Sequence, residues 1–359
     1  MNILIVKPSS LGDLVHTLPA VHLLRQSFPE ASLSWVVNDS LAGFVALYPG
    51  LDEVMPFRRQ RWGRVRHWHE LIGFFGELRQ QHVDVAIDFQ GLFRSGLITF
   101  ASGAPRRIGF QNAREGAGFF YTERVAVPAN LRHAIDRNVF LVQSALGLAA
   151  SAAMPDLVRP HDSAREARRL RRQHQLDSGG PVLAVAPGGR WPSKRWPPTF
   201  FAAALDHLHD LIPDLRCWLL GSRDEAPTAE AVQKACERCQ PVSLAGQTDL
   251  PTLLELLRHS DALLTNDSGP MHLAAALGVP AVACFGATDA DLTGPYGEIH
   301  TVFRTTCDLT PCFSRDCLQK ARLCSDGTPP ARVAEALAAK IRWSHERRPP
   351  PTTVRLDEE

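Results

Sequence analysis

The chain has 359 residues, 45% of them hydrophobic and 21% charged, with a formal net charge of +1. That length is long for a single core, so two domains are expected, and the near-neutral balance argues against bulk nucleic-acid binding. No apolar run reaches the roughly 18 residues of a membrane span, and residues 2–7 are too short for a secretory signal, so a cytoplasmic protein with reduced thiols is expected.

Strands alternate with helices nearly throughout, the pattern of parallel sheets wrapped by helices. The first half predicts strands over 2–7, 32–37, 52–56, 83–88 and 106–110, and helices over 13–27, 39–47, 68–81, 92–102 and 133–147. Residues 1–155 therefore read as one doubly wound domain. Residues 156–180, rich in Ala, Pro and charge, read as a linker with a lead-in helix. The alternation then repeats over 181–330, with strands over 182–186, 215–220, 242–244, 261–265 and 280–285 and helices over 197–210, 224–238, 250–259 and 270–278. Residues 331–345 read as a closing helix and 346–359 as a disordered, proline-rich tail.

The first strand ends in Lys7-Pro-Ser-Ser-Leu-Gly-Asp13. With one glycine it lacks the G-x-G-x-x-G dinucleotide fingerprint, and it has no P-loop, which disfavours nicotinamide, flavin and P-loop chemistry. Asp13 at a strand end can serve as a general base; it can equally cap the following helix. Arg58, Arg59, Arg61, Arg64 and Arg66, interleaved with Trp62, form a basic segment that suits an acidic partner, or simply a solvated surface.

In the second half, Ala186-Pro-Gly-Gly-Arg-Trp-Pro-Ser-Lys194 follows a buried strand. Gly188 and Gly189 allow close backbone approach, and Lys194 can neutralise a phosphate. The segment from Asn266 to Gly286 carries the densest signal: a strand, a polar turn and a small-residue helix whose first N–H groups form an anion cradle. Ser268 or Gly269 can cap that helix, Pro270 suits its first turn, and Asp267 and His272 project beside it. Two phosphate-friendly strand ends in one domain point to a nucleotide.

Asp289-Ala-Asp291 resembles a D-x-D cation pair but reads as loop chemistry, because Lys194 and a helix start already supply positive potential. Cys307, Cys312, Cys317 and Cys324 lack the paired C-x-x-C spacing of structural zinc, although four clustered thiols can still converge on a metal. Cys236 and Cys239, taken to lie on the helix predicted near 224–238, read as packing and surface thiols.

Lys7 to Asp13, Asp88-Phe-Gln90-Gly-Leu92, Arg114-Glu115, the Lys194 loop, Asp267 to His272 and Phe285 to Tyr296 together resemble the lipopolysaccharide heptosyltransferases of glycosyltransferase family nine, type I more than type II. The resemblance implies an α/β GT-B fold, two Rossmann-like doubly wound domains facing across a cleft, with acceptor held by the N-terminal domain and nucleotide sugar by the C-terminal domain. It implies metal-independent inverting transfer of heptose from ADP-L-glycero-D-manno-heptose to a Kdo- or heptose-bearing inner-core acceptor such as Kdo-lipid A, at the cytoplasmic face of the inner membrane, with no cofactor. Under it Asp13 is the general base and Lys194 lies on the diphosphate. Gly188, Gly189, Asp267, Ser268, Gly269 and His272 hold the donor, and Lys7, Ser10, Gly12, Arg61, Arg64, Gln90 and Arg94 hold the acceptor. A family member using another nucleotide sugar, or a non-catalytic nucleotide-sugar-binding module, remain alternative readings.

Overall fold

The computed structural model describes residues 1–62, 67–176, 179–305, 307–317, 324 and 327–347. It divides into two compact units, Met1–Ala164 with Asp291–Gly294, and Arg165–Ala290 with Pro295–Glu359.

In the first unit, strands β1 (Asn2–Val6), β2 (Ser32–Asn38), β3 (Glu53–Phe57), β4 (Val85–Asp88), β5 (Arg106–Phe110) and β6 (Glu123–Val125) make one parallel sheet in the order β3-β2-β1-β4-β5-β6. Around it lie helices α1 (Leu11–Ser27), α2 (Asp39–Val45), α3 (Arg59–Trp62), α4 (Trp68–Gln80), α5 (Phe93–Ala101) and α6 (Ala134–Leu146). Helix α7 (His161–Gln173) spans the division between the units and lies inside the expected linker.

The second unit repeats the plan. Strands β7 (Val182–Ala186), β8 (Arg216–Leu219), β9 (Val242–Ser243), β10 (Ala262–Asn266), β11 (Ala281–Phe285) and β12 (Thr301–Arg304) run in the order β12-β11-β10-β7-β8-β9. Helices α8 (Pro198–Leu211), α9 (Ala226–Ala235), α10 (Leu250–Arg258), α11 (Gly269–Ala276), α12 (Ala290–Thr293) and α13 (Pro330–Arg347) complete the chain.

Each sheet thus has the doubly wound order in which direction reverses beside the first strand, between β1 and β4 and between β7 and β10. Every residue of β7, β10 and β11 is buried, as strands covered by helices on both faces must be. The second core joins β7 through Leu183 and Val185, α8 through Phe201, Leu205 and Leu208, and α13 through Val333, Leu337 and Ile341.

Two strands escaped the sequence reading, β6 and β12. Both are edge strands, carrying Glu-Arg-Val and Thr-Val-Phe-Arg, with no continuous apolar run to mark them. The helix expected over 224–238 ends at Ala235, because the Asp206 carboxylate collects the N–H groups of Glu237 (2.9 Å), Arg238 (2.9 Å) and Cys239 (2.8 Å) and turns the chain. Cys239 is consequently off the helix and buried, its sulfur 3.7 Å from that of Cys217. The closing helix runs through Arg347, two residues into the expected tail; the rest of that tail lies outside the described residues.

Candidate active site

In the first unit the site is built at the carboxyl ends of β1 and β4, beside the reversal point. Ser10 takes extended backbone angles (φ −93°, ψ −176°) and caps α1. Asp13, three residues on, returns the bond: its Oδ2 accepts from the Ser10 N–H at 2.7 Å and the Ser10 hydroxyl at 2.8 Å. This reciprocal capping box uses one carboxylate oxygen and fixes the side chain's direction. Lys7 Nζ lies 3.7 Å from Asp13 Oδ1, and the Asp13 side chain remains 39% exposed. Both readings of Asp13 therefore coexist in its geometry, a helix cap and an accessible carboxylate.

Lys7 is only 6% exposed and donates from Nζ to the Phe89 carbonyl at 3.0 Å, tying the β1 end to the β4 end. Gly12 is buried in the first turn of α1. The Gln90 side chain accepts from the Ser9 N–H at 3.4 Å. Beneath it Asp88 is fully buried, accepting from Gln90 N–H (2.8 Å), Gly91 N–H (3.0 Å) and the Tyr121 hydroxyl (2.6 Å). Burial raises the Asp88 pKa against the pull of these donors, so this carboxylate is a structural strut under the Gln90 turn.

The basic segment is partly engaged. Arg61 donates through Nε (2.9 Å) and Nη2 (2.6 Å) to one oxygen of Glu70, which also takes His67 Nδ1 at 2.9 Å, while Trp62 Nε1 donates to the other at 3.1 Å. The Arg61 hydrogen bond is the largest cause holding the Glu70 carboxyl down at about 2, with help from His67 and Trp62. Arg94 is exposed on α5. Arg64 and Arg66 lie outside the described residues.

In the second unit the site forms at the ends of β7 and β10. Asn266, fully buried, donates from Nδ2 to the carbonyls of Pro187 (2.8 Å) and Gly188 (3.1 Å) and accepts the Trp196 N–H at 3.0 Å. One side chain thereby pins both ends of the 187–196 loop across the reversal point. Lys194 Nζ consequently reaches Asp267 Oδ2 at 2.6 Å, and lies 4.9 Å from the centre of the Trp191 ring. Asp267 is 5% exposed and also accepts the Thr288 hydroxyl at 2.7 Å. Helix α11 starts beside this pair, with Ser268 as the cap in extended conformation, Gly269 first and Pro270 in the opening turn. The first-turn N–H groups have no intrahelical acceptor, which makes the spot electropositive. His272 is buried in the same turn. Gly189 is fixed by its carbonyl, which accepts from Arg195 Nε at 2.7 Å.

Two site features escaped the sequence reading. Asn266 opens the 266–286 segment but carried no role, because its partners lie seventy or more residues away in the chain. Glu225, after β8, reaches over the β7 end: a methyl carbon added at Gly188 would lie 2.2 Å from Glu225 Oε1. Its other oxygen accepts Ser222 N–H (2.9 Å) and hydroxyl (3.0 Å) in a second S-x-x-E capping box, a signal that was present in the sequence.

The cysteine segment packs against the Lys194 loop, with Ser193 donating from N–H to the Arg315 carbonyl at 3.2 Å and from its hydroxyl to the Ser314 carbonyl. A small cavity is lined there by Ser193, Lys194, Arg195, Phe285, Gly286 and Cys324. Burial, followed by the neighbouring thiols, pushes the Cys324 thiol up to about 11. Cys307, Cys312, Cys317 and Cys324 form no disulfide among the described residues, and no group of three or more His, Cys, Asp or Glu suited to a metal occurs among them. Asp291 is paired with Arg132 at 2.8 Å.

These arrangements give two variants with contrasting outcomes. Asn266→Ala leaves two carbonyls and one N–H unpaired in a buried place, so denaturant unfolding should show a loss of about 2–4 kcal/mol. Gly188→Ala would push the Glu225 side chain from Cγ outward and disturb its capping box with Ser222, so stability should fall by about 1 kcal/mol while nucleotide affinity, read by calorimetry, falls several-fold.

Two Rossmann-like six-stranded units, one with a cation and a helix start at its reversal point, define an α/β protein of the GT-B class, the fold of nucleotide-sugar glycosyltransferases. Residues 72–322 match the family model for glycosyltransferase family 9 (heptosyltransferase), and the chain belongs to that family. Lipopolysaccharide heptosyltransferase 1 of Pseudomonas aeruginosa is 28% identical over 95% of this chain and 98% of its own length. Among solved structures, the ADP-heptose lipopolysaccharide heptosyltransferase II of Escherichia coli superposes with a TM-score of 0.78 at 24% identity, covering 96% of this chain and all of that one. The E. coli heptosyltransferase WaaC with ADP-2-deoxy-2-fluoro heptose superposes with a TM-score of 0.70 at 24% identity, over 96% of this chain and 99% of that one. The chain is a glycosyltransferase.

Proposed function

We propose that the protein transfers heptose from ADP-L-glycero-D-manno-heptose to a Kdo- or heptose-bearing lipopolysaccharide inner-core acceptor, inverting the anomeric centre without a metal. The observation that carries this reading is the Lys194–Asp267 pair beside the α11 start, a preformed cationic seat for a diphosphate at a strand-order reversal. Residues 181–330 hold the donor. Lys194 and the Ser268 and Gly269 amides take the charge that gathers on the departing ADP, and His272 and Asp267 orient the sugar diphosphate. Glu225 follows the second strand of its sheet, where an acidic side chain accepts ribose hydroxyls in doubly wound nucleotide folds.

Residues 1–155 hold the acceptor. Asp13, its direction set by Ser10, takes the proton of the attacking hydroxyl as that oxygen bonds to the anomeric carbon and the bond to the diphosphate breaks. Lys7, Gly12 and Gln90 shape this turn, while Arg61 and Arg94 supply cations for the acid groups of the acceptor. Type I acceptor choice is favoured by the heptosyltransferase 1 relative, and the donor by the ADP-heptose named in both structures. A lipid-linked acceptor places the protein at the cytoplasmic face of the inner membrane as a peripheral enzyme; among the described residues no helix is long and apolar enough to cross. The test is the stereochemistry of the product, read by NMR: inverted configuration is expected, and retention would refute the single displacement.

A further inference from the structure

Helix α5 leaves one stripe of its surface uncovered: Phe93 (51% exposed), Leu97 (38%) and Phe100 (50%), at the i, i+4, i+7 spacing that shares a helical face. The 117–120 turn extends it. Phe120 meets the rings of Phe93 and Phe100 at 5.4 and 5.9 Å, and its neighbour Phe119 stands 88% exposed. A methyl carbon on Gly96 would lie 2.7 Å from the Phe120 ring, so the turn is seated closely on the helix. Helix α4 packs beside α5 and exposes Trp68 and Ile72. Half of the large apolar side chains left exposed among the described residues lie on these three segments.

The rim of this patch is basic. The Arg107 guanidinium lies 5.5 Å from the Phe100 ring centre and donates to the carbonyls of Phe120 (2.8 Å) and Ala104 (2.7 Å), which fix it without cancelling its charge. Arg94, on α5 itself, is a second cation; its pKa is lowered by burial and then by Arg59, against the opposing pull of Glu115.

A contiguous aromatic patch of this kind marks an interaction site. A second copy docking on this face would crowd two basic rims around one apolar centre, which disfavours self-association. An anionic bilayer complements both features, because rings settle at the headgroup boundary while arginines meet lipid phosphates.

We infer that the α5 face and the Phe119 turn are the surface by which this protein lies on an anionic membrane. The choice of a bilayer as occupant rests on the lipid-linked acceptor proposed above, but its test needs neither donor nor acceptor. Full-length protein is floated with vesicles of phosphatidylcholine alone or mixed with phosphatidylglycerol. Binding to the mixed vesicles, weakened by salt, is expected, and Phe100→Ser combined with Phe119→Ser should lower it roughly tenfold or more. Both side chains are exposed, so the melting temperature and the rate on detergent-dispersed acceptor should stay at wild-type values. Equal binding by the double variant, no binding to either vesicle, or a wild-type dimer that the double variant abolishes would each overturn the assignment. Loss of transfer with vesicle binding intact would instead count against the heptosyl-transfer reading alone.

Discussion

Replacing Asp13 by Ala is expected to lower turnover by about 10²–10⁴-fold while ADP binding, measured by calorimetry, stays within about twofold of wild type. The proposed donor seat is in the other unit, and the partners described for Asp267 there are Lys194 and Thr288. Because Asp13 Oδ2 also completes the α1 capping box, the same variant should lose about 1 kcal/mol of stability. Asp13→Asn separates the two roles. Its side-chain oxygen can still accept the Ser10 N–H, so stability should largely return, whereas the amide cannot take a proton and the rate should not recover. An Asn variant with near-normal turnover would leave Asp13 as a cap only.

Lys194→Ala carries the second large effect. Asp267 is 5% exposed and would keep only the Thr288 hydroxyl of the two partners described above, so the loss of its cation should cost about 3–5 kcal/mol. Turnover should fall by about 10²–10³-fold, since a cation facing the departing diphosphate acts mainly in the transition state, and ADP affinity should weaken as well. The double variant Lys194→Ala with Asp267→Asn removes the uncompensated charge. It should regain most of the stability in denaturant unfolding but none of the activity. If activity returned with stability, Lys194 would be a structural partner of Asp267 and no more.

Much of the fold was legible because parallel strands covered on both faces are apolar along most of their length. β7, β10 and β11 read as strands for that reason. β6 and β12 did not, since an edge strand needs no apolar run, and the end of α9 did not, since it depends on Asp206 from another helix. The site followed the same division. The cap on α11 is a local matter of Ser268, Gly269 and Pro270 and could be read directly. The meeting of Lys194 with Asp267, the brace from Asn266 and the approach of Glu225 to Gly188 join distant positions, and only the strand order brings them together. Sequence left Asp13 between two roles; its geometry shows the cap, one oxygen on Ser10, and turns the other oxygen toward Lys7.

The most direct test is ADP release from ADP-heptose, followed with and without Kdo-lipid A. Release should be slow with donor alone and rise by orders of magnitude with acceptor, one heptose appearing on the lipid for each ADP freed. Tight ADP-heptose binding with no acceptor-dependent release would show a nucleotide-sugar-binding module and contradict catalysis by Asp13 and Lys194.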